Sequence, residues 1–171
     1  LAAGYVTSDR LLTDWLSELA FAPVDLRADA PADEWSGDLG VGVQYFSQVG
    51  AGRLAANLKI PLTPTATPAE KLKELQALHE MGDERAAQVF TSIGCAFGYA
   101  IAQYAHFYDI RHVLALGRVT SGKGGPVIVD KANEVIKDEF PELAGRIKIH
   151  MPEGEIERRH GQAVAAASLP A

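Results

Sequence analysis

The sequence predicts an α/β fold, and three observations predict it. A continuous apolar run, His112-Val113-Leu114-Ala115-Leu116, ends in a glycine-rich loop from Gly117 to Gly125. A helical segment and a second apolar strand, Ile147-Lys148-Ile149-His150-Met151, follow. With 171 residues at 47% hydrophobic, the chain can fill the core of one ordinary domain, which rules out intrinsic disorder. The order strand, loop, helix, strand, helix describes an α/β layer whose ligand edge lies at the carboxyl end of the 112–116 strand.

Each element has a local reason. Residues 4–7 and 11–16 read as short strands around the turn Ser8-Asp9-Arg10, although Leu11, Leu12, Trp15, Leu16 and Leu19 also fit helical spacing. Ala22-Pro23, Ala30-Pro31 and Ser36-Gly37-Asp38 mark residues 22–40 as an excursion loop. Val43, Phe46, Ser47, Gly50, Leu54 and Leu58 recur at helical spacing, predicting a helix over 41–58. Thr67-Pro68-Ala69-Glu70 is a capping-box start for a helix over 68–80. A second helix over 83–108 follows Met81-Gly82-Asp83, and its Gly94 and Gly98, one turn apart, predict close packing on a neighbour. Pro126 opens a helix over 126–139 that Phe140-Pro141 ends, and 158–168 is a last, alanine-rich helix.

Charge narrows the function classes. The formal charge of −6 sits wholly in residues 1–45, which hold eight acids and two bases; the remainder carries fourteen of each sign. A general grip on nucleic-acid phosphates or an anionic membrane is therefore not expected. Cys95 is the single cysteine, so neither an internal disulfide nor a cysteine-based zinc cage can form, and a cytoplasmic setting is expected. The chain opens on an apolar run, Leu1 to Val6, without a charged lead, unlike a signal peptide, and reads as having lost its beginning. The charge-free stretch Ala86 to Tyr108 is interrupted by Gln88, Thr91, Ser92, Gln103 and His106, which favours a buried helix over a membrane span.

The glycine loop admits several readings. Gly117-Arg118-Val119-Thr120-Ser121-Gly122-Lys123 matches the phosphate-loop spacing G-x-x-x-x-G-K, but Gly124 stands where Ser or Thr would hold magnesium. Gly-Gly-Pro is expected to separate Lys123 from the following helix, against a phosphate-loop binder. A plain strand-to-helix connection without ligand is a further reading.

Beyond these, Val113-Leu114-Ala115-Leu116-Gly117-Arg118-Val119-Thr120-Ser121-Gly122 resembles the strand and glycine turn near the nucleotide in the ROK family of sugar kinases and sugar-responsive repressors. The lead-in Met81-Gly82-Asp83-Glu84-Arg85-Ala86-Ala87 and the ending Arg159-His160-Gly161-Gln162-Ala163-Val164-Ala165-Ala166-Ala167 are similar to the same family. The resemblance implies a ribonuclease H-like, actin/hexokinase-type C-terminal lobe spanning 1–171, with an acidic strand and loop region (1–45) and a helical, nucleotide-loop region (46–171). It implies ATP with magnesium at Gly117, Arg118, Thr120, Ser121, Gly122 and Lys123, and a sugar at Glu18. The catalytic Asp of the family lies upstream of Leu1, in an N-terminal lobe, so this segment alone is not expected to phosphorylate anything.

The departures are as informative. Of the family's G-E-x-G-H, Ser17-Glu18-Leu19-Ala20-Phe21 keeps only Glu18. Ser36, Asp38 and Val43 stand at the three cysteines of the family's zinc motif and Tyr45 at its second Glu, so no zinc site is expected. The family's three glycines map to Leu116, Gly117 and Arg118, so only Gly117 is kept; Arg118 either crowds the nucleotide or pairs with its phosphate. A sugar-dependent kinase lobe is thus one expectation, and a non-catalytic sugar sensor or degenerate scaffold the other. A homodimer is expected, and on the non-catalytic reading the Gly94/Gly98 face would support it.

The remaining candidates read as structural. The five histidines show no i,i+4 pair or cluster at ligand spacing, and Cys95 has no cationic neighbour in sequence to make it a nucleophile. Trp15, Trp35 and Tyr45 could face a sugar ring but read more simply as packing. Asp25 to Asp38 lacks the alternating pattern of a calcium loop and reads as solvated.

Overall fold

The computed structural model describes residues 5–6, 11–12 and 19–154. Glu18, Trp15 and the predicted helix over 158–168 lie outside them. The chain divides into two compact units, Leu1–Gln44 and Tyr45–Ala171.

In the first unit β1 (Tyr5–Val6) pairs antiparallel with β2 (Leu11–Leu12), Tyr5 opposite Leu12, which decides for strand over helix at these residues. Residues 22–40 fold back on themselves through isolated bridges Pro23–Val41 and Ala32–Leu39. Gly40 makes the return possible: its φ is +66°, its carbonyl accepts the Val24 and Asp25 amides, and a Cβ there would run into the Asp25 carbonyl. The acidic excursion is not simply solvated. Asp33 is buried and accepts the Trp35 and Ser36 amides at 3.1 and 2.8 Å and the Gln44 side chain at 3.2 Å. The Ser36 amide, ahead of Gln44 and Trp35, holds its carboxyl below the usual range. Asp25 pairs with Arg27 at 2.7 Å. The calcium-loop candidate therefore resolves into carboxylates that organise their own backbone.

The second unit carries the core. α1 (Gln48–Asn57) starts later than the spacing predicts, because the Ser47 side chain caps it while Gly42–Gln44 form a separate 3-10 turn. α2 (Pro68–Glu80) has the predicted capping box: Thr67 Oγ1 accepts the Glu70 amide at 3.3 Å, and the Glu70 carboxylate accepts the Thr67 amide at 2.8 Å. α3 (Glu84–Tyr104), capped by Asp83, buries Val89, Phe90, Ile93, Phe97 and Ile101 against Leu72, Leu75, Ala51 and Ala55.

Gly94 and Gly98 face α4 (Gly124–Glu139). A Cβ at Gly94 would lie 2.6 Å from the Ile128 carbonyl oxygen, and one at Gly98 would lie 2.8 Å from Val135 Cβ. This small-residue face is filled inside the chain, so the expectation that it supports a homodimer is corrected: its missing Cβ atoms are what let α3 and α4 approach.

β3 (His112–Leu114) and β4 (Lys148–His150) form a parallel pair, with His112 beside Lys148, Val113 beside Ile149 and Leu114 beside His150. α4 and the short α5 (Pro141–Ala144) make the crossover between them. Val113 and Ile149 turn inward against the core, whereas His112, Leu114, Lys148 and His150 are exposed. Both strands are shorter than predicted, although the Ala115 amide still donates to the His150 carbonyl at 2.8 Å. The unit is a helix-rich α/β arrangement with a small parallel sheet. Among the described residues no helix is long and apolar enough to cross a membrane.

Candidate functional site

The segment between β3 and α4 is the predicted ligand edge, and its backbone conformation comes from glycine. Gly117 has φ +111°, and a Cβ on it would meet nothing within 4 Å, so one side of the turn is open. Residues Arg118–Thr120 then form a single 3-10 turn. Thr120 is buried and its hydroxyl donates to the Gly117 carbonyl at 2.8 Å, closing the turn from inside. Ser121 is also buried, and its Oγ has no hydrogen-bond partner among the described residues. Arg118 is exposed.

The far side of the loop is braced by α2. Gln76 donates through Nε2 to the Arg118 carbonyl at 2.9 Å and to the Ser121 carbonyl at 3.3 Å. Glu80, one turn further, accepts the Lys123 amide through Oε1 at 3.2 Å and pairs through Oε2 with Lys123 Nζ at 3.1 Å. Gly122, at φ +61°, lets the chain turn beside that carboxylate. The Lys123 side-chain bond is the main cause that holds the Glu80 carboxyl below its ordinary 4.5.

Lys123 is the N-cap of α4, because Gly124 and Gly125 are already helical and Pro126 falls in the first turn. The expected Gly-Gly-Pro spacer between Lys123 and the helix is thus corrected. Lys123 nevertheless points to Glu80, and the helix start is packed shut. A Cβ at Gly124 would sit 2.6 Å from the Phe90 ring, and one at Gly125 would collide with the Thr120 carbonyl. An anion at this helix start would compete with a carboxylate that the fold itself supplies. The space beside Gly117 is open around its missing Cβ, whereas the α4 start is occupied by Phe90, the Thr120 carbonyl and the Glu80 carboxylate.

The loop brings together Gly117, Arg118, Thr120, Ser121, Gly122 and Lys123 as one turn. Tyr45 carries the Arg53 guanidinium 4.9 Å from its ring centroid, and Trp35 lies 5.3 Å from Phe21. Among the described residues no group of three or more His, Cys, Asp or Glu could hold a metal. Sequence spacing missed Gln76 and Glu80, which carry no signal beyond membership of the helix predicted over 68–80. It also missed His112 and His150, which only strand register brings together.

A solved structure of a ROK family transcriptional regulator, a homologue of the E. coli MLC protein, superposes on 88% of this chain with a TM-score of 0.65 and 16% identity. The fold resembles that of part of this ROK regulator. The likeness is one of fold, and the chain spans 38% of that regulator's length. No family model and no curated protein matches the sequence.

The Glu80 brace gives a pH dependence with a definite sign. A carboxyl lowered by folding contributes stability above its ordinary value and loses it as pH falls through the lowered one. The Lys123 amide resonance is expected to titrate with a midpoint below 4.5, and the transition is expected to vanish in Glu80→Gln. A midpoint at or above 4.5 would mean the brace does not form in solution.

Proposed function

We propose that this chain is one lobe of a ROK-like, sugar-responsive regulator that binds its sugar without turnover. Its glycine loop then serves as a braced structural turn rather than a phosphate cradle. The observation that carries this reading is the Glu80–Lys123 contact: the one loop lysine and its amide are held by an internal carboxylate at the place where a phosphate would dock. The fold likeness to a ROK regulator supports it. Glu18 would orient the sugar, with the remaining contacts supplied by the N-terminal lobe of the same protein, as a cytoplasmic homodimer with an actin/hexokinase-type core.

A second reading is favoured by Gly117, whose open side would admit an adenine ring. On it, the chain is the C-terminal, ATP-binding lobe of a ROK-like sugar kinase, active only with the lobe that carries the catalytic Asp. Calorimetry on the full-length protein separates the two. The regulator reading expects heat with a neutral hexose, none with MgATP, and no sugar-dependent ATP consumption. MgATP heat that Gly117→Val abolishes would overturn it in favour of the kinase.

A further inference from the structure

The exposed face of the β3–β4 pair carries two imidazoles in direct contact. Parallel register sets His112 beside Lys148 and Leu114 beside His150, so the two histidines are diagonal neighbours on one face. His112 Nδ1 and His150 Nε2 are 2.9 Å apart, with ring centroids at 5.1 Å. Both residues are exposed, and among the described residues each side chain has only the other as a hydrogen-bond partner. Asp109, the acid two residues from Arg111 at the start of β3, is held by that guanidinium at 3.1 Å. Lys148 is the cation on the same face; its long stem lets the ammonium swing into solvent.

We propose that His112 and His150 form a binding site for a divalent transition metal of tetragonal preference, Ni(II) or Cu(II), completed by water. A single hydrogen bond between two exposed rings contributes little, since water offers each ring the same bond. In the hydrogen-bonded pair one of these two nitrogens carries the proton; when that ring takes its other tautomer, with the proton on its second nitrogen, both facing nitrogens present lone pairs to one shared ion. With metal–nitrogen distances of about 2.0–2.1 Å, nitrogens 2.9 Å apart subtend about 90° at a common metal. That is the cis angle of square-planar or octahedral coordination rather than the wider tetrahedral one of zinc. The donors stand on adjacent hydrogen-bonded strands, so strand register fixes where the two side chains are rooted, and solvent exposure lets the rings turn their lone pairs toward the ion.

Calorimetric titration of the chain with Ni(II) and with Zn(II) tests the site. One equivalent of Ni(II) is expected to bind at least tenfold more tightly than to His112→Gln or His150→Gln, and more tightly than Zn(II). His106→Gln, which alters an exposed histidine elsewhere, is expected to bind like the parent. Without any substitution, substoichiometric Cu(II) is expected to broaden the His112 and His150 ring resonances before those of His79 and His106. Equal Ni(II) affinity in the His112→Gln/His150→Gln double variant, or uniform broadening of all histidines, would overturn the proposal.

Discussion

Gly125→Ala is expected to destabilise the chain by about 3 kcal/mol or more, at the upper end of what overpacking a core costs. The added methyl has nowhere to go: it meets the Thr120 carbonyl on one side and Met151 Sδ at 2.8 Å on the other. A backbone carbonyl cannot rotate aside as a side chain can, so the 3-10 turn must pull away from α4 and β4. Thermal unfolding should show a midpoint lower by about 6–12 °C, taking about 2–4 °C per kcal/mol for a chain of this size. Gly52→Ala is the matching control. Gly52 lies inside α1 with only Lys71 Cδ, at 3.9 Å, near its missing Cβ, so alanine is expected to stabilise by about 0.4–1 kcal/mol. Equal effects at the two glycines would show that the Gly125 packing is wrong.

Phe90→Ala is expected to cost about 3–5 kcal/mol, measured by urea unfolding. Phe90 is fully buried, stacks on the His79 ring at a centroid distance of 5.0 Å, and fills the space that Gly124 leaves open. It therefore joins α2, α3 and the start of α4 at one point. The pair Phe90/Gly124 should couple: Gly124→Ala is expected to be markedly less harmful in the Phe90→Ala background, where the ring it would strike is gone. Strict additivity would mean that the two do not touch.

Both effects converge on the glycine loop, whose design has two faces. Its inner face is packed by Phe90, Thr120 and Met151, and its α2 side is held by Gln76 and Glu80. What remains open is Gly117. A loop bound so firmly on its α2 side is a rigid connection between β3 and α4.

Local chemistry accounts for the elements that were legible beforehand. The box Thr67-Pro68-Ala69-Glu70 sets the start of α2 because it satisfies its own terminal amides within four residues. The glycines of α3 announced a close neighbour, and α4 is that neighbour. The boundaries that slipped, at Ser47, Tyr104 and Gly124, depend on caps and on packing that hydrophobic spacing does not encode. In sequence Asp33 belongs to a 25–38 stretch that reads as solvated; its burial follows from a return of the chain that Gly40 permits.

By itself, then, the sequence determined the α/β order, the capped helices, the glycine turn after the first strand of the parallel pair and the resemblance to ROK proteins. These are properties of neighbours in the chain, decided by torsions and by the periodicity of apolar residues. Only the tertiary structure decided that Glu80 sits against Lys123, that α4 fills the Gly94/Gly98 face, and that His112 meets His150. Those pairs lie tens of residues apart, and their distances come from helix packing and strand register, which no local pattern contains.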